Sequence, residues 1–237
     1  MEKTIDRSSI FFIAEIGLNH NGNFGLIYEM IRAASDAGAS CVKFQLGWRA
    51  GPGEINDLKN EEVELIVKCC SWFGVEPMFS VFNTNALKML TGIDLNFFKI
   101  ASRTVNEDFE LVKKIVKSKK TTFISLGMWD FSNLPLPDMP NIHYLWCKSE
   151  YPALPWHLSD LPKDFSKGPY VGISDHSVGI EVPLMAITRG AIVVEKHFTL
   201  DKSDTTTRDH ALSVLPDEFS QLVKLGKSIR ANLNIGV

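Results

Sequence analysis

Cysteine is scarce in this chain of 237 residues: there are four, Cys41, Cys69, Cys70 and Cys147, and none forms a CxxC pair. No disulfide framework is expected, and the adjacent Cys69 and Cys70, on one helical stretch, are badly placed to bridge each other. Reduced thiols in a cytoplasmic protein are the simple reading. No apolar run is long enough to span a bilayer. The opening Met1-Glu2-Lys3-Thr4-Ile5-Asp6 is too polar and acidic for a secretory signal. Dense basic stretches are missing as well, and the formal net charge is −3, so neither nucleic acid nor an anionic membrane is an expected partner. Nothing resembling a linker, a low-complexity tract or an internal repeat divides residues 1–237, which read as a single domain.

What is present is an ordinary globular composition, 45% hydrophobic and 22% charged, in a chain of the length of one α/β barrel. Short apolar runs alternate with longer amphipathic ones. The strand candidates are Phe11 to Ile16, Cys41 to Gln45, Val75 to Phe79, Phe97 to Ile100, Thr122 to Ser125, His143 to Trp146, Tyr170 to Ile173 and Ile192 to Lys196. Several are apolar at successive positions, as parallel strands buried on both faces are. Between them, Gly25 to Ala37, Glu61 to Phe73, Glu107 to Ser118 and Pro216 to Asn232 carry helical periodicity, the last opening with proline and acids. The alternation predicts a parallel sheet, and the number of units predicts closure into a (β/α)8 TIM barrel. Pro135, Pro137 and Pro140 lie between the fifth and sixth strands, so the fifth helix is expected to be missing or shortened.

In such a barrel the residues at or just past the strand C-termini face one pocket. Those positions hold Glu15 and the Asn19-His20-Asn21-Gly22 turn, then Lys43, Gln45, Ser80, Lys99, Ser102 and Ser125. Ser149 and Tyr151 follow strand six; Ser174, Asp175 and His176 follow strand seven; Glu195, Lys196 and His197 end strand eight, with Asp209 and His210 beyond. Lys43 and Lys99 interrupt apolar runs, and a buried ammonium needs an anion. With the hydroxyls of Ser102, Ser125 and Ser174 they suit a substrate bearing phosphate and carboxylate, or else they pair with Glu15 or Glu195. His176 and His197 end neighbouring strands and suit a divalent metal with open positions, with Asp175 and Glu195 as orienting groups, or else they are hydrogen-bonded pocket histidines.

Ile13-Ala14-Glu15-Ile16-Gly17, Asn19-His20-Asn21-Gly22, Val42-Lys43-Phe44-Gln45, Lys99-Ile100-Ala101-Ser102, Ser125-Leu126-Gly127-Met128, the CKSEYP stretch from Cys147 to Pro152, Ser174-Asp175-His176-Ser177-Val178-Gly179 and Glu195-Lys196-His197-Phe198-Thr199 occur in this order. Together they resemble the sialic acid (N-acylneuraminate) synthase family over nearly the whole chain. The resemblance implies a barrel that condenses phosphoenolpyruvate with the open-chain aldehyde of an N-acyl mannosamine-type sugar, or its phosphate, giving a nonulosonic acid and phosphate. It implies that His176 and His197 bind Mn2+ or Mg2+, that Lys43, Lys99, Ser102, Ser125, Ser149 and Ser174 form the phosphoenolpyruvate pocket, and that Glu15, Gln45, Tyr151 and Asp209 contact the sugar or assist catalysis, Glu15 and Asp209 as proton carriers.

The sequence departs from the family at several points. Arg103 and Thr104 stand where the family has glycine and an acid, Ser80-Val81-Phe82 replaces Ser-Thr-Pro-Phe, and Leu126 replaces a threonine. Family members continue into a small antifreeze-like C-terminal domain, whereas this sequence ends at Val237, so the resemblance covers the barrel domain only. A homodimer or a separate chain carrying that domain is the implied partner. Two other readings stand beside this one: a Schiff-base aldolase using Lys43, Lys99 or Lys196, and a barrel that binds ligand without turnover.

Overall fold

The computed structural model describes residues 5–130 and 132–234. Eight strands form a closed, wholly parallel barrel in chain order: β1 (Phe11–Gly17), β2 (Cys41–Leu46), β3 (Glu76–Val81), β4 (Phe97–Ile100), β5 (Thr121–Ser125), β6 (Ile142–Cys147), β7 (Tyr170–Asp175) and β8 (Val193–His197). β8 pairs with β1 in the register Glu15 to His197, which closes the ring. The helices are α1 (Phe24–Asp36), α2 (Asn60–Phe73), α3 (Thr84–Met89), α4 (Ser102–Glu107), α5 (Phe109–Val116), α6 (Glu181–Thr188), α7 (Asp209–Leu212) and α8 (Pro216–Asn234). Between β5 and β6 the described residues contain no helix, as the prolines there require. No helix is long and apolar enough to cross a membrane among the described residues, and all four cysteines are free.

The period-two alternation of the strands separates packing from chemistry. The outward positions Phe12, Ala14, Ile16, Val42, Phe44, Phe98, Ile100, Ile124 and Val194 are buried under the helices in the main core. The inward positions nearer the strand N-termini, Ile13, Cys41, Met78, Phe97, Phe123, Leu145 and Val193, make a second apolar cluster inside the barrel. Phe11, Phe97 and Phe123 plug its lower end, with ring centroids 4.9, 5.7 and 6.1 Å apart. Two residues further along each strand the inward side chain turns polar. Ile13 gives way to Glu15, Cys41 to Lys43, Phe97 to Lys99, Phe123 to Ser125, and Val193 to Glu195. At Gly172 the strands β7 and β8 approach so closely that a Cβ would stand 1.8 Å from the Val193 carbonyl oxygen, a contact that only glycine permits.

The helix predicted over Glu107 to Ser118 is α5, and it is preceded by the separate short helix α4, which ends at Glu107. Asp108, with φ −141°, breaks the backbone, and its side chain accepts a hydrogen bond from the Leu111 N–H at 3.0 Å as the cap of α5. A short acid that caps the following turn competes with continuation of the preceding one. The short helices α3, α4, α6 and α7 are not visible as periodicity, since one or two turns are too few to define a face.

The Asn19-His20-Asn21-Gly22 turn, expected to face the pocket, braces the loops around it instead. Asn19 donates to the Phe198 carbonyl (3.0 Å) and the Ser213 hydroxyl (2.9 Å), and accepts from the Thr207 hydroxyl (2.9 Å). Asn21 bonds Asp204 and His210. The Nδ1 of His20 accepts from the Gly22 N–H at 3.1 Å, so the proton is on Nε2, 3.2 Å from the Asn56 carboxamide oxygen. Asn56 in turn holds the Gln45 and Trp48 carbonyls.

Burial brings the His20 pKa down from 6.5 to about 4. The unfolded chain therefore binds the extra proton first. The stability from the neutral ring is fully present above pH 6.5 and is lost as pH falls through the window toward 4, roughly 3 kcal/mol in all. Denaturant unfolding of the wild type and His20→Gln across that window should show this component in the wild type and not in the variant; parallel pH profiles would refute it.

Candidate active site

The polar ends of the strands enclose a cavity of about 790 Å3 at the C-terminal mouth of the barrel. Of the residues singled out from the sequence, Glu15, Lys43, Gln45, Lys99, Ser102, Ser125, Ser149, Tyr151, Ser174, His176, His197 and Asp209 line it, whereas the Asn19-His20-Asn21-Gly22 turn, Asp175, Lys196 and His210 do not. Arg49, Arg103, Arg208, Thr206, Thr207 and Cys147 line it as well, without having been proposed as site residues. The loop 206–208 gives no motif signal apart from its proximity to Asp209.

Its floor is a buried lattice of alternating charge. Lys43 Nζ lies 2.7 Å from Glu15 and 3.7 Å from Glu195, and Lys99 Nζ lies 3.8 Å from the same Glu195 oxygen, with every one of these side chains at most 5% exposed. Hydroxyls complete the lattice: Lys43 donates to Ser80 (3.0 Å), Lys99 to Ser125 (2.7 Å), and Ser174 to Glu195 (2.6 Å). Gln45 donates to Glu15 at 3.2 Å. Both lysines thus pair with carboxylates while sitting where an anionic substrate would reach them.

The two carboxylates are not equivalent. Burial pushes Glu15 above its ordinary value despite Lys43, and the charge of Glu195 adds to the rise. Burial acts on Glu195 too, but Lys43, Lys99 and the Ser174 hydroxyl outweigh it and hold this carboxyl below its ordinary value. Glu195 is the fixed anion and Glu15 the group that takes up a proton more readily. Burial also lowers the Lys99 ammonium, whereas Glu15 and Glu195 overcome burial to raise that of Lys43.

Across the cavity, His176 and His197 face each other with ring centroids 5.4 Å apart. The Nδ1 of His176 donates to the Lys148 carbonyl at 2.8 Å, which fixes the orientation of the ring. The Nδ1 of His197 is buried with no hydrogen-bond partner among the described residues, and Asp209 is 4.0 Å away. Burial and the surrounding cations hold the His197 pKa well below its ordinary value, so the ring is neutral. A neutral imidazole with an orphaned nitrogen beside a second oriented imidazole fits a divalent cation. No group of three or more His, Cys, Asp or Glu side chains capable of holding a metal ion is present among the described residues. Tyr151 stacks on His176 at 4.2 Å between centroids, and burial raises both its phenol and the Asp209 carboxyl.

Two expectations are corrected here. Asp175 and Glu195 do not orient the histidines. Asp175 points out of the barrel, where it accepts from the Ser177 N–H and hydroxyl and pairs with Lys196 at 2.7 Å, while Glu195 belongs to the lysine lattice. Lys196 also donates to the Ser177 carbonyl and is wholly buried. In a strand whose residues 195 and 197 face the pocket, 196 must face the helices, so Lys196 is no candidate nucleophile.

A closed parallel barrel with a lysine–carboxylate floor and a histidine pair at the carboxyl ends of its strands is the arrangement of a barrel enzyme for small anionic substrates. The NeuB family model matches residues 54–236, and the chain belongs to that family. The chain is 30% identical to the N,N'-diacetyllegionaminic acid synthase of Campylobacter jejuni over 100% of its own length and 79% of that protein. It is 29% identical to the human N-acetylneuraminate-9-phosphate synthase, with 90% and 68% covered. The crystal structure of the sialic acid synthetase of Leptospira borgpetersenii with citrate superposes with a TM-score of 0.82 at 29% identity, over 96% of this chain and 86% of that one.

The outward Lys196–Asp175 pair tests the division between scaffold and pocket. Lys196→Ala leaves a buried carboxylate without its cation and should cost about 3–5 kcal/mol. A fall of the urea midpoint by less than about 1 kcal/mol equivalent would show that the pair does not brace β7 against β8.

Proposed function

We propose that the protein condenses phosphoenolpyruvate with the open-chain aldehyde of an N-acyl mannosamine-type sugar, or its phosphate, to give a nonulosonic acid and phosphate in carbohydrate biosynthesis. The observation that carries this reading is the pairing of two floor lysines with a facing histidine pair in one cavity large enough for two small substrates. Membership of the NeuB family and the activities named for its relatives support it. Free thiols at all four cysteines suit a reducing compartment, the cytoplasm.

In this reading Lys43 and Lys99, with the hydroxyls of Ser80, Ser125 and Ser174, bind the phosphate and carboxylate of phosphoenolpyruvate. Ser102 is held at the same level, its hydroxyl accepting the Gly127 N–H at 2.9 Å. The methylene carbon of phosphoenolpyruvate bonds to the aldehyde carbon, and its C2 becomes cationic. Water adds to C2, and the resulting tetrahedral intermediate collapses: its C2 hydroxyl becomes the ketone as the C2–O bond to phosphate breaks, and the hydroxyl proton leaves with the phosphate. Glu195 stays ionised and offsets the lysines, while Glu15, lifted by burial, takes the proton from the adding water. Asp209, raised likewise and 4.0 Å from His197, delivers a proton to the aldehyde oxygen as it becomes an alcohol. His176 and His197 would hold Mn2+ or Mg2+, whose chemistry there is Lewis-acid polarisation of that oxygen. Ser149 lines the same cavity as part of the phosphoenolpyruvate pocket, and Tyr151 and Gln45 line the remaining wall for the sugar.

The depressed ammonium of Lys99 favours a second reading, Schiff-base aldol chemistry. Phosphate release from phosphoenolpyruvate, measured over a panel of acylated hexosamines with and without Mn2+, separates the two. Release that requires the sugar, stops with chelator and falls by at least about 100-fold in Lys99→Met is expected. No release with any sugar, despite measurable phosphoenolpyruvate binding, or covalent trapping of a keto acid on Lys99 by borohydride, would overturn the condensation.

A further inference from the structure

The deep cations of the cavity are matched, but those at its mouth are not. Lys43 and Lys99 are offset by Glu15 and Glu195. Arg49, Arg103 and Arg208 line the outer part of the same cavity, where Asp209 is the acid that remains. Arg103 does pair with Glu107, but both are surface groups of α4, 44% and 59% exposed, and such a pair is easily exchanged for a better anion.

These arginines are not loose surface chains. The Arg208 guanidinium lies 4.3 Å from the centroid of the Tyr151 ring, which itself stacks on His176 at 4.2 Å. Arg208 is therefore within two stacking distances of the histidine pair, inside the reach of an open-chain six-carbon sugar whose aldehyde lies at the histidines. Its loop is pinned on both sides: the buried Thr207 hydroxyl bonds Asn19, and Asp209 begins α7. Across the mouth, Arg103 lies 5.0 Å from the ring centroid of Trp48, the neighbour of Arg49. Arg49 itself is held at φ +48°, in the left-handed region that a residue with a long side chain seldom adopts. Stacking fixes the plane of a guanidinium and leaves its N–H edge free for a bidentate oxyanion. The side chain of Arg208 is 72% exposed, and its ion pair with Asp209, next to it in sequence, is long at 3.8 Å.

We infer that the acceptor sugar carries an anionic group, a phosphate monoester or a carboxylate, at the end remote from its aldehyde. Arg208, with Arg103 and Arg49 opposite, is the determinant that selects it. This inference rests on the condensation proposed above, in which phosphoenolpyruvate takes the lysines and leaves the arginines at the mouth to face the acceptor.

The test compares N-acetylmannosamine, its 6-phosphate and its 6-carboxylate as acceptors, in the wild type, Arg208→Gln and Arg103→Gln, with equal melting temperatures as the folding control. The wild type should favour an anionic acceptor over the neutral sugar in kcat/KM by roughly 10- to 100-fold. Arg208→Gln should remove most of that preference, through a rise in KM for the anionic sugar. Whether the phosphate or the carboxylate is preferred names the group. A wild type that prefers the neutral sugar, or a preference that survives both substitutions, overturns the inference. Calorimetric titration of the three sugars separates this from the reaction itself. Selective binding of an anionic sugar that Arg208→Gln abolishes, in a protein that never releases phosphate, upholds the anion site and refutes the condensation; equal binding of charged and neutral sugars refutes the site whatever the turnover.

Discussion

The structure turns on one constraint: two lysines and two glutamates are buried together inside a barrel whose lower half is apolar. Neither sign of charge is tolerable there alone, since an unpaired ion in such surroundings is strongly destabilising. Lys43 lies between Glu15 and Glu195, and Lys99 shares Glu195, so each charge has an opposite neighbour and the hydroxyls of Ser80, Ser125 and Ser174 take up remaining hydrogen bonds. The positions follow from the parallel register, which sets Glu15 beside Lys43 and Ser174 beside Glu195 on adjacent strands. The site is thus assembled by the backbone pairing itself, before any substrate arrives.

The same lattice sets how the pocket divides its work. An anion entering at the lysines competes with carboxylates already there, which keeps the resting site neutral and leaves Glu15, the carboxyl lifted by burial, as the member that changes protonation. The histidine wall opposite has a different character. Its rings are oriented by a backbone carbonyl and by stacking on Tyr151, and one nitrogen has no partner among the described residues. A chemically distinct wall on each side of a single cavity suits the joining of two unlike molecules.

Much of this was legible in the sequence. Several strands show as apolar runs, and the change from apolar to polar at the inward positions, as at Phe97 and Lys99, marks where the pocket begins. The prolines at 135, 137 and 140 announced the absent helix. Direction was harder to read. Glu195 and Lys196 are equally good site residues by position, and only the period-two geometry sends one inward and the other to Asp175. The histidines offered no hint that a carbonyl, not a carboxylate, orients His176, because such a contact depends on the path of the loop after β6. Loops hid the rest. Arg208 sits among threonines in a stretch without periodicity, and its stacking on Tyr151 joins residues far apart in the chain. Asn19 and His20 had the composition of site residues, yet they spend their hydrogen bonds on holding loops together.

The plug formed by Phe11, Phe97 and Phe123 closes the lower end of the barrel, opposite the mouth of the cavity. The lysines lie deep and almost sealed from solvent, while the arginines stand at the opening. A molecule resting on the lysines is covered by whatever next occupies the mouth. A vessel of this shape stacks its guests in depth, the deeper one walled in by the barrel and lidded by the shallower.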